Sequence, residues 1–244
     1  MLTPILKTYI YITIFAIAMG YMECAVVVYL RELYYPEGFD FPLKPIGQNI
    51  GITEILREAA TLVMLIIAGI FAGRTKTEKF GFFIYCFAIW DIFYYVFLKL
   101  ILDWPASLLT WDILFLIPTT WVGPVLGPVI NSLTMILLAI LISYFVNFNN
   151  SVKINRTEWI LFTLGSVVII ISYIEDYVSF MMDKFSFFEV FDGTKISLLN
   201  EYAKNYQPVS FAWWVFMVGE GIILFAIYLF FTRNKTYKES FPTD

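Results

Sequence analysis

The sequence predicts an all-α fold, a polytopic transmembrane helix bundle of about six spans plus one re-entrant or interfacial half-helix. Three observations predict it. Of the 244 residues, 60% are hydrophobic and only 15% are charged, against about 25% charged in a soluble domain. A soluble chain this apolar lacks the polar surface to cover itself, whereas lipid solvates an apolar exterior. Six apolar runs are long enough to cross a bilayer, since a span needs about 20 residues. The length suits a single transmembrane domain, 1–244.

The first span is expected over 8–30. Lys7 supplies a minimal basic flank, but the apolar run is too long for a secretory signal and contains Glu23. Tyr21, Met22 and Glu23 do not form a small-residue cleavage site, so the segment reads as a retained span. The second span is expected over 54–73, after a charged first turn, and the third over 80–102. The fifth and sixth fall at 157–180 and 211–232.

The stretch 105–148 is too long for one straight helix and contains Pro118, Pro124 and Pro128. Proline removes a backbone donor and clashes with the preceding turn. The pattern therefore predicts a half-helix over 106–117, a break, and a fourth span over 125–146. Twelve residues are too few to cross, which favours a re-entrant or interfacial piece. Between the last two spans, "ISLLNEYAK" reads as a short amphipathic helix on the membrane surface.

Basic residues set the orientation. With both termini cytoplasmic, Lys7, Arg74, Lys76, Lys79, Lys153, Arg156, Arg233, Lys235 and Lys238 all lie inside. Aromatic residues then crowd the outer edge: Tyr34, Tyr35, Trp104, Trp111, Trp121, Phe185, Phe187, Phe188, Trp213 and Trp214. Such rings suit the headgroup region, so they read as a membrane belt. "WDIFYY" at Trp90 and "WDILFL" at Trp111 echo each other, and chance is the preferred explanation.

Composition excludes several classes of function. Histidine is absent, which removes His-based zinc sites, haem ligation by His, His-dependent triads and the commonest general base. The net charge of −4 comes without a basic stripe, so no nucleic acid partner is expected. Cys24 and Cys86 lie in apolar runs without metal-ligand spacing and read as small buried hydrophobes. The sequence points to no cofactor and no defined metal site.

What remains informative is the set of ionisable groups inside the spans: Glu23, Glu58, Asp91, Asp112, Glu175, Asp176 and Glu220. A charge at bilayer centre costs about 2.5–3.5 kcal/mol on insertion scales. Such groups should face the bundle interior. Arg57 follows Glu54 by three residues and precedes Glu58 by one, so it is expected to reach both carboxylates. Tyr94 and Tyr95 follow Asp91 by three and four residues and are expected to offer it a phenol. Of the adjacent Glu175 and Asp176, which point about 100° apart on a helix, only one is expected to face the cavity. Gly219 and Gly221 flank Glu220, and Gly69 and Gly73 have the spacing of close helix contacts. The candidate cation-binding set is therefore Glu23, Arg57, Glu58, Asp91, Asp112, Asp176 and Glu220. Glu23, Glu58, Asp91 and Glu220 are expected to meet around one polar cavity, with Arg57 at its mouth.

The segments "GYMECAVVVYLRELYYPEGF", "EILREAATLVMLIIAG" and "WDIFYYVFLKLILDWPASLLTWDILFLIPTTWVGPV" resemble a family of uncharacterised prokaryotic integral membrane proteins. The resemblance covers about the first 130 residues. It implies a bacterial cytoplasmic membrane and transfers no activity or site.

Three functional readings compete. The first is a protein that binds or transports a cation or proton through intramembrane carboxylates, resting on the acids and the proline-broken segment. Six crossings without an internal repeat are few for a secondary transporter, which a homo-oligomer would remedy. The second is a structural or assembly subunit whose charges set packing. The third is an intramembrane lipid-modifying enzyme, with paired acids for proton transfer or Mg²⁺. No metal-dependent transferase pattern supports it, so the balance leans against an enzyme.

Overall fold

The computed structural model describes residues 3–44, 46–190 and 193–240. Six long helices are apolar enough to cross a membrane: α1 (Pro4–Tyr34), α2 (Gln48–Ala72), α3 (Lys76–Leu102), α4 (Leu126–Phe148), α5 (Arg156–Met182) and α8 (Trp213–Ser240). The one-turn α6 (Phe187–Val190) and α7 (Ile196–Ala203) lie between α5 and α8. The chain is an integral membrane helix bundle with six candidate spans. Large apolar side chains such as Tyr11, Leu56, Phe71 and Tyr228 point outward over its flanks, which is the surface lipid solvates.

Local chemistry sets the helix ends. Pro4 stands in the first turn of α1, where its missing N–H costs nothing. Thr75 caps α3 by accepting from the Glu78 amide at 3.1 Å. Asn155 and Glu158 form a reciprocal capping box on α5. Asp103 ends α3 in the left-handed region at φ 52°.

Small residues set the crossings. A Cβ at Gly69 would lie 2.7 Å from the Lys79 carbonyl and the Phe83 amide, so α2 and α3 touch backbone to backbone there. Gly165 and Gly219 face each other across α5 and α8, each 2.9 Å from where the other's Cβ would meet its carbonyl. α3 is the central helix, packed on α1, α2 and α4. α5 and α8 form a second unit, joined to the first through β2 on α5 and α4 on α8.

The expected half-helix over 106–117 does not form. Residues 106–110 make turns, and Trp111–Phe115 (β1) pairs antiparallel with Trp121–Pro124 (β2). The run "WDILF" is rich in residues that favour strands, and a partner strand follows the proline turn. The three prolines each sit where no ladder or helix bond is lost: Pro118 in the hairpin loop, Pro124 at the end of β2, and Pro128 in the first turn of α4. A hairpin inside a bundle must have its free amides satisfied by protein. The Leu116 amide donates to Glu58 at 3.0 Å, Val125 to the Thr110 carbonyl at 3.0 Å, and Leu126 to Leu108 at 2.7 Å. The two "WD" segments thus adopt different structures, one helical and one extended, so their echo marks no duplicated element.

At the end of the bundle where α1 begins, Arg74 grips Glu78 with two guanidinium nitrogens, at 3.0 and 2.9 Å. Arg233 likewise grips the fully buried Glu158, at 2.9 Å from each nitrogen. The Lys238 and Phe187 side chains lie outside the described positions.

Candidate functional site

The helices and the hairpin enclose a cavity of about 500 Å³. Six carboxylates line it: Glu23 on α1, Glu54 and Glu58 on α2, Asp91 on α3, Asp112 on β1 and Glu220 on α8. Two guanidinium groups, Arg31 and Arg57, also line it. The rest of the wall is mainly apolar and aromatic, including Phe83, Phe87, Trp90, Phe115, Trp121 and Tyr173. The cavity expected from the sequence is therefore more apolar than the acids alone imply.

Each acid arrives by a simple geometric route. On α2, Glu54, Glu58, Thr61, Leu65 and Gly69 make one buried stripe along the helix, and the other faces meet lipid. Gly20 lets α1 approach the α3 backbone at Trp90, one turn from Glu23. The hairpin carries Asp112 into the bundle, where it is 2% exposed.

The partners differ from the sequence expectation in three ways. Arg57 does not hold Glu58; it donates to Glu54 at 2.8 Å and pairs with Glu23 across the α1–α2 gap. Helix spacing could not show this, because the second partner comes from another span. Glu58 turns instead to the hairpin amide. Tyr95 does not serve Asp91; its hydroxyl donates to Asp112 at 3.2 Å, and Asp91 accepts from Ser132 at 2.8 Å.

Asp176 is not in the cavity lining. Its carboxylate accepts from the Tyr206 hydroxyl at 2.7 Å and from the Ser210 amide at 3.1 Å, tying the segment before α8 to α5. Burial pushes the Tyr206 pKa up, and the adjacent Asp176 charge adds to the rise. Glu175 is exposed. Neither of this adjacent pair belongs to the cavity.

Several belt aromatics also turn inward. Arg31 is 7% exposed and lies 3.3 Å from Asp112. Its guanidinium sits 3.7 Å from the Trp104 ring centroid and 4.7 Å from that of Phe39. Trp111 packs on Phe211, and Trp121 stacks on Tyr173 with centroids 6.0 Å apart. Trp214 and Phe188 remain outward, as a belt requires.

One turn of α4 supplies polar partners to which the ionisable residues alone do not point. Asn131 donates to the Tyr173 hydroxyl at 2.8 Å, Ser132 to Asp91 at 2.8 Å, and Thr134 to Glu220 at 3.0 Å. The signal was "NSLT", a polar cluster in an otherwise apolar span.

Charge is not balanced at the site. Glu23 and Glu54 share Arg57, and Asp112 faces Arg31. The hydrogen bonds of Glu58, Asp91 and Glu220 come from an amide or a hydroxyl, with no cation among them. Among the described residues, no three carboxylates or thiols converge where a metal ion would sit. Five buried side-chain atoms among the described residues lack a hydrogen-bond partner: Arg31 Nη1, Trp90 Nε1, Trp121 Nε1, Asn131 Oδ1 and Glu220 Oε1. All five belong to residues that line this cavity. Cys24 and Cys86 are buried free thiols, in keeping with a packing role. In comparisons with known proteins, no family model, no curated protein and no solved structure matches the chain.

Proposed function

We propose that the protein binds a cation or a proton in this cavity, as a small carrier or as the binding subunit of one. The observation that carries the reading is the excess of acid in a membrane-embedded space. Six carboxylates face two guanidinium groups, and among the described residues Glu58, Asp91 and Glu220 form no ion pair. Adjacent anions in a poorly solvated space favour bound protons or a bound cation. A structural reading draws support from Arg57 and Arg31, two cations that hold three of the acids in ion pairs. It gives no reason for three more to surround the same cavity.

Proteoliposomes with an internal pH dye test the reading under imposed Na⁺, K⁺ and proton gradients. The wild type should move protons or cations above the rate of protein-free vesicles, and Glu220→Gln should lose that excess. Equal behaviour of wild type, variant and empty vesicles, with no cation-dependent change in thermal stability, refutes it.

The proposed setting is a bacterial cytoplasmic membrane with both chain ends inside. Its support is the gathering of Arg74, Lys153 and Arg233 at the end where α1 begins. Reporter fusions after Thr77 and Asn155 should both report cytoplasm, and an external signal at either overturns the orientation.

A further inference from the structure

We propose that the occupant is an amphipathic organic amine, whose ammonium donates to Glu220 and Asn131 while its apolar body lies against the aromatic wall. This names the substrate class of the site and rests on the cation reading above.

Two features separate an organic cation from a bare ion. The first is the wall. An inorganic ion needs a shell of oxygens to replace its water, yet the carboxylates are spread over five elements and no three converge among the described residues. Phe87, Trp90, Phe115, Trp121 and Tyr173 instead give the space flat apolar faces. Aromatic faces attract a cation through the ring quadrupole and also accept its carbon skeleton. A space of about 500 Å³ lies within the range of small-molecule pockets.

The second feature is the pattern of unpaired polar atoms. Glu220 is 3% exposed and Trp90 6% exposed, and each keeps one polar atom without a partner. Buried polar atoms normally find partners, so these mark where a ligand's own polar atoms fit. The two free acceptors are neighbours: Thr134 holds Glu220, and Asn131 precedes Thr134 by three residues on the same face of α4. An ammonium has N–H donors for both. Both free indole donors belong to rings near Phe115: that of Trp121 lies 5.6 Å from it, and Trp90 is in the cluster on which Phe115 packs. They suit an acceptor, such as a hydroxyl or carbonyl, further along the same molecule. Trp121 reaches the acceptor corner through Tyr173, on which it stacks and which Asn131 holds. The cavity thus offers two free acceptors, an aromatic wall and three free donors, the two indoles and Arg31 Nη1.

The same ammonium chemistry is offered by a free lipophilic amine and by an aminophospholipid headgroup, and the test separates them. Purified wild type in phosphatidylcholine nanodiscs is titrated with naphthylmethylamine, followed by tryptophan quenching and calorimetry. Naphthylmethanol, of the same shape without the charge, is the comparison. Saturable amine binding is expected, about tenfold or more tighter than the alcohol. Glu220→Gln should weaken the amine by a similar factor and leave the alcohol unchanged. Asn131→Leu serves as the second variant should Glu220→Gln fail to fold. If phosphatidylethanolamine in the disc competes with the amine, the aminolipid is a natural source; if it does not, the free amine is. Equal binding of amine and alcohol, or amine binding indifferent to both variants, overturns the proposal. Cation or proton movement in the proteoliposomes without amine binding overturns this substrate class alone. Absence of both overturns the cation reading with it.

Discussion

One buried ion pair ties the hairpin to α1 beside the cavity, and that pair can be measured. Arg31 and Asp112 side chains are 9% and 3% exposed and 3.3 Å apart. At an effective dielectric constant of about 20, charges at that separation attract by about 5 kcal/mol. Asp112→Asn removes the attraction but keeps an oxygen to accept from Tyr95. It strands the Arg31 charge among Trp104, Phe39 and the hairpin. Stranding one member of a buried pair costs about 3–5 kcal/mol, and the retained hydrogen bond places this variant at the lower end.

Arg31→Met fills similar space without charge, at the loss of the ring contacts, worth about 0.5–2 kcal/mol. The double variant has no stranded charge, so its loss should be smaller than the sum of the two single losses by about 2–3 kcal/mol. Equilibrium unfolding in mixed micelles gives the stabilities, and hydrogen exchange at the Ile113 and Leu116 amides reports whether the hairpin stays docked. A coupling below about 0.5 kcal/mol, within the error of additivity, refutes the reasoning, because Arg31 would then be satisfied without Asp112.

Other expectations follow from single contacts. Gly219→Ala places a Cβ 2.9 Å from the Gly165 carbonyl and the Ile169 amide, and such overpacking should cost about 1–3 kcal/mol. Gly221→Ala meets nothing within 4 Å and should be neutral or gain up to about 1 kcal/mol, so unfolding the two variants side by side checks the crossing. Arg233→Gln leaves the buried Glu158 without its guanidinium and should cost about 1.5 kcal/mol in the same assay, the low end because the arginine side chain is 41% exposed. In the segment between α5 and α8, hydrogen bonding from Lys195, helped by the Ser186 amide, holds Glu189 down to about 2 from an ordinary 4.5. A depressed carboxylate pKa stabilises above the unfolded value and loses that contribution as pH falls through the folded one. Exchange at the Ser186 amide should therefore stay slow to about pH 4 and rise toward pH 2; a rise already at pH 5–6 contradicts the pairing.

The spans were legible because hydropathy and length suffice for them, and the acids were legible because charge in lipid is rare. The hairpin was not. Its first strand, "WDILF", is as apolar as a helix and its partner is the four residues "WVGP", which contain a glycine and a proline. Strand pairing depends on contact across the proline turn, which local pattern does not carry. The same limit governs the partners of Arg57 and Tyr95. Helix spacing favours Glu58 and Asp91, but the neighbouring span and the hairpin present Glu23 and Asp112, and the tertiary contact wins. Asp176 shows the reverse error. Its place near a span end suggested the cavity, while the segment after α7 folds back to claim it.

If the cavity binds a cation as proposed, the turn Asn131–Ser132–Thr134 gives that binding a mechanical consequence as well as an electrostatic one. It meets Tyr173 on α5, Asp91 on α3 and Glu220 on α8. The unit of α5 and α8 joins the rest through α4 on α8 and β2 on α5. Both junctions pass beside the cavity. A hydroxyl donating to a carboxylate holds it best when the carboxylate is charged, and Thr134 and Ser132 each do this. Adding a proton or an ammonium at Glu220 or Asp91 supplies a competing donor and weakens those bonds. In the proposed reading, occupancy changes the strength of the junction between the two units, at a level of the bundle where both receive polar contacts from the same turn. Coupling between a site and a conformational change requires that the ligand interact differently with two arrangements. The α4 turn supplies such a difference in the proposed reading, because the side chains that would bind the ligand through their free oxygens, Glu220 and Asn131, also join the walls through Glu220 Oε2 and the Asn131 amide nitrogen.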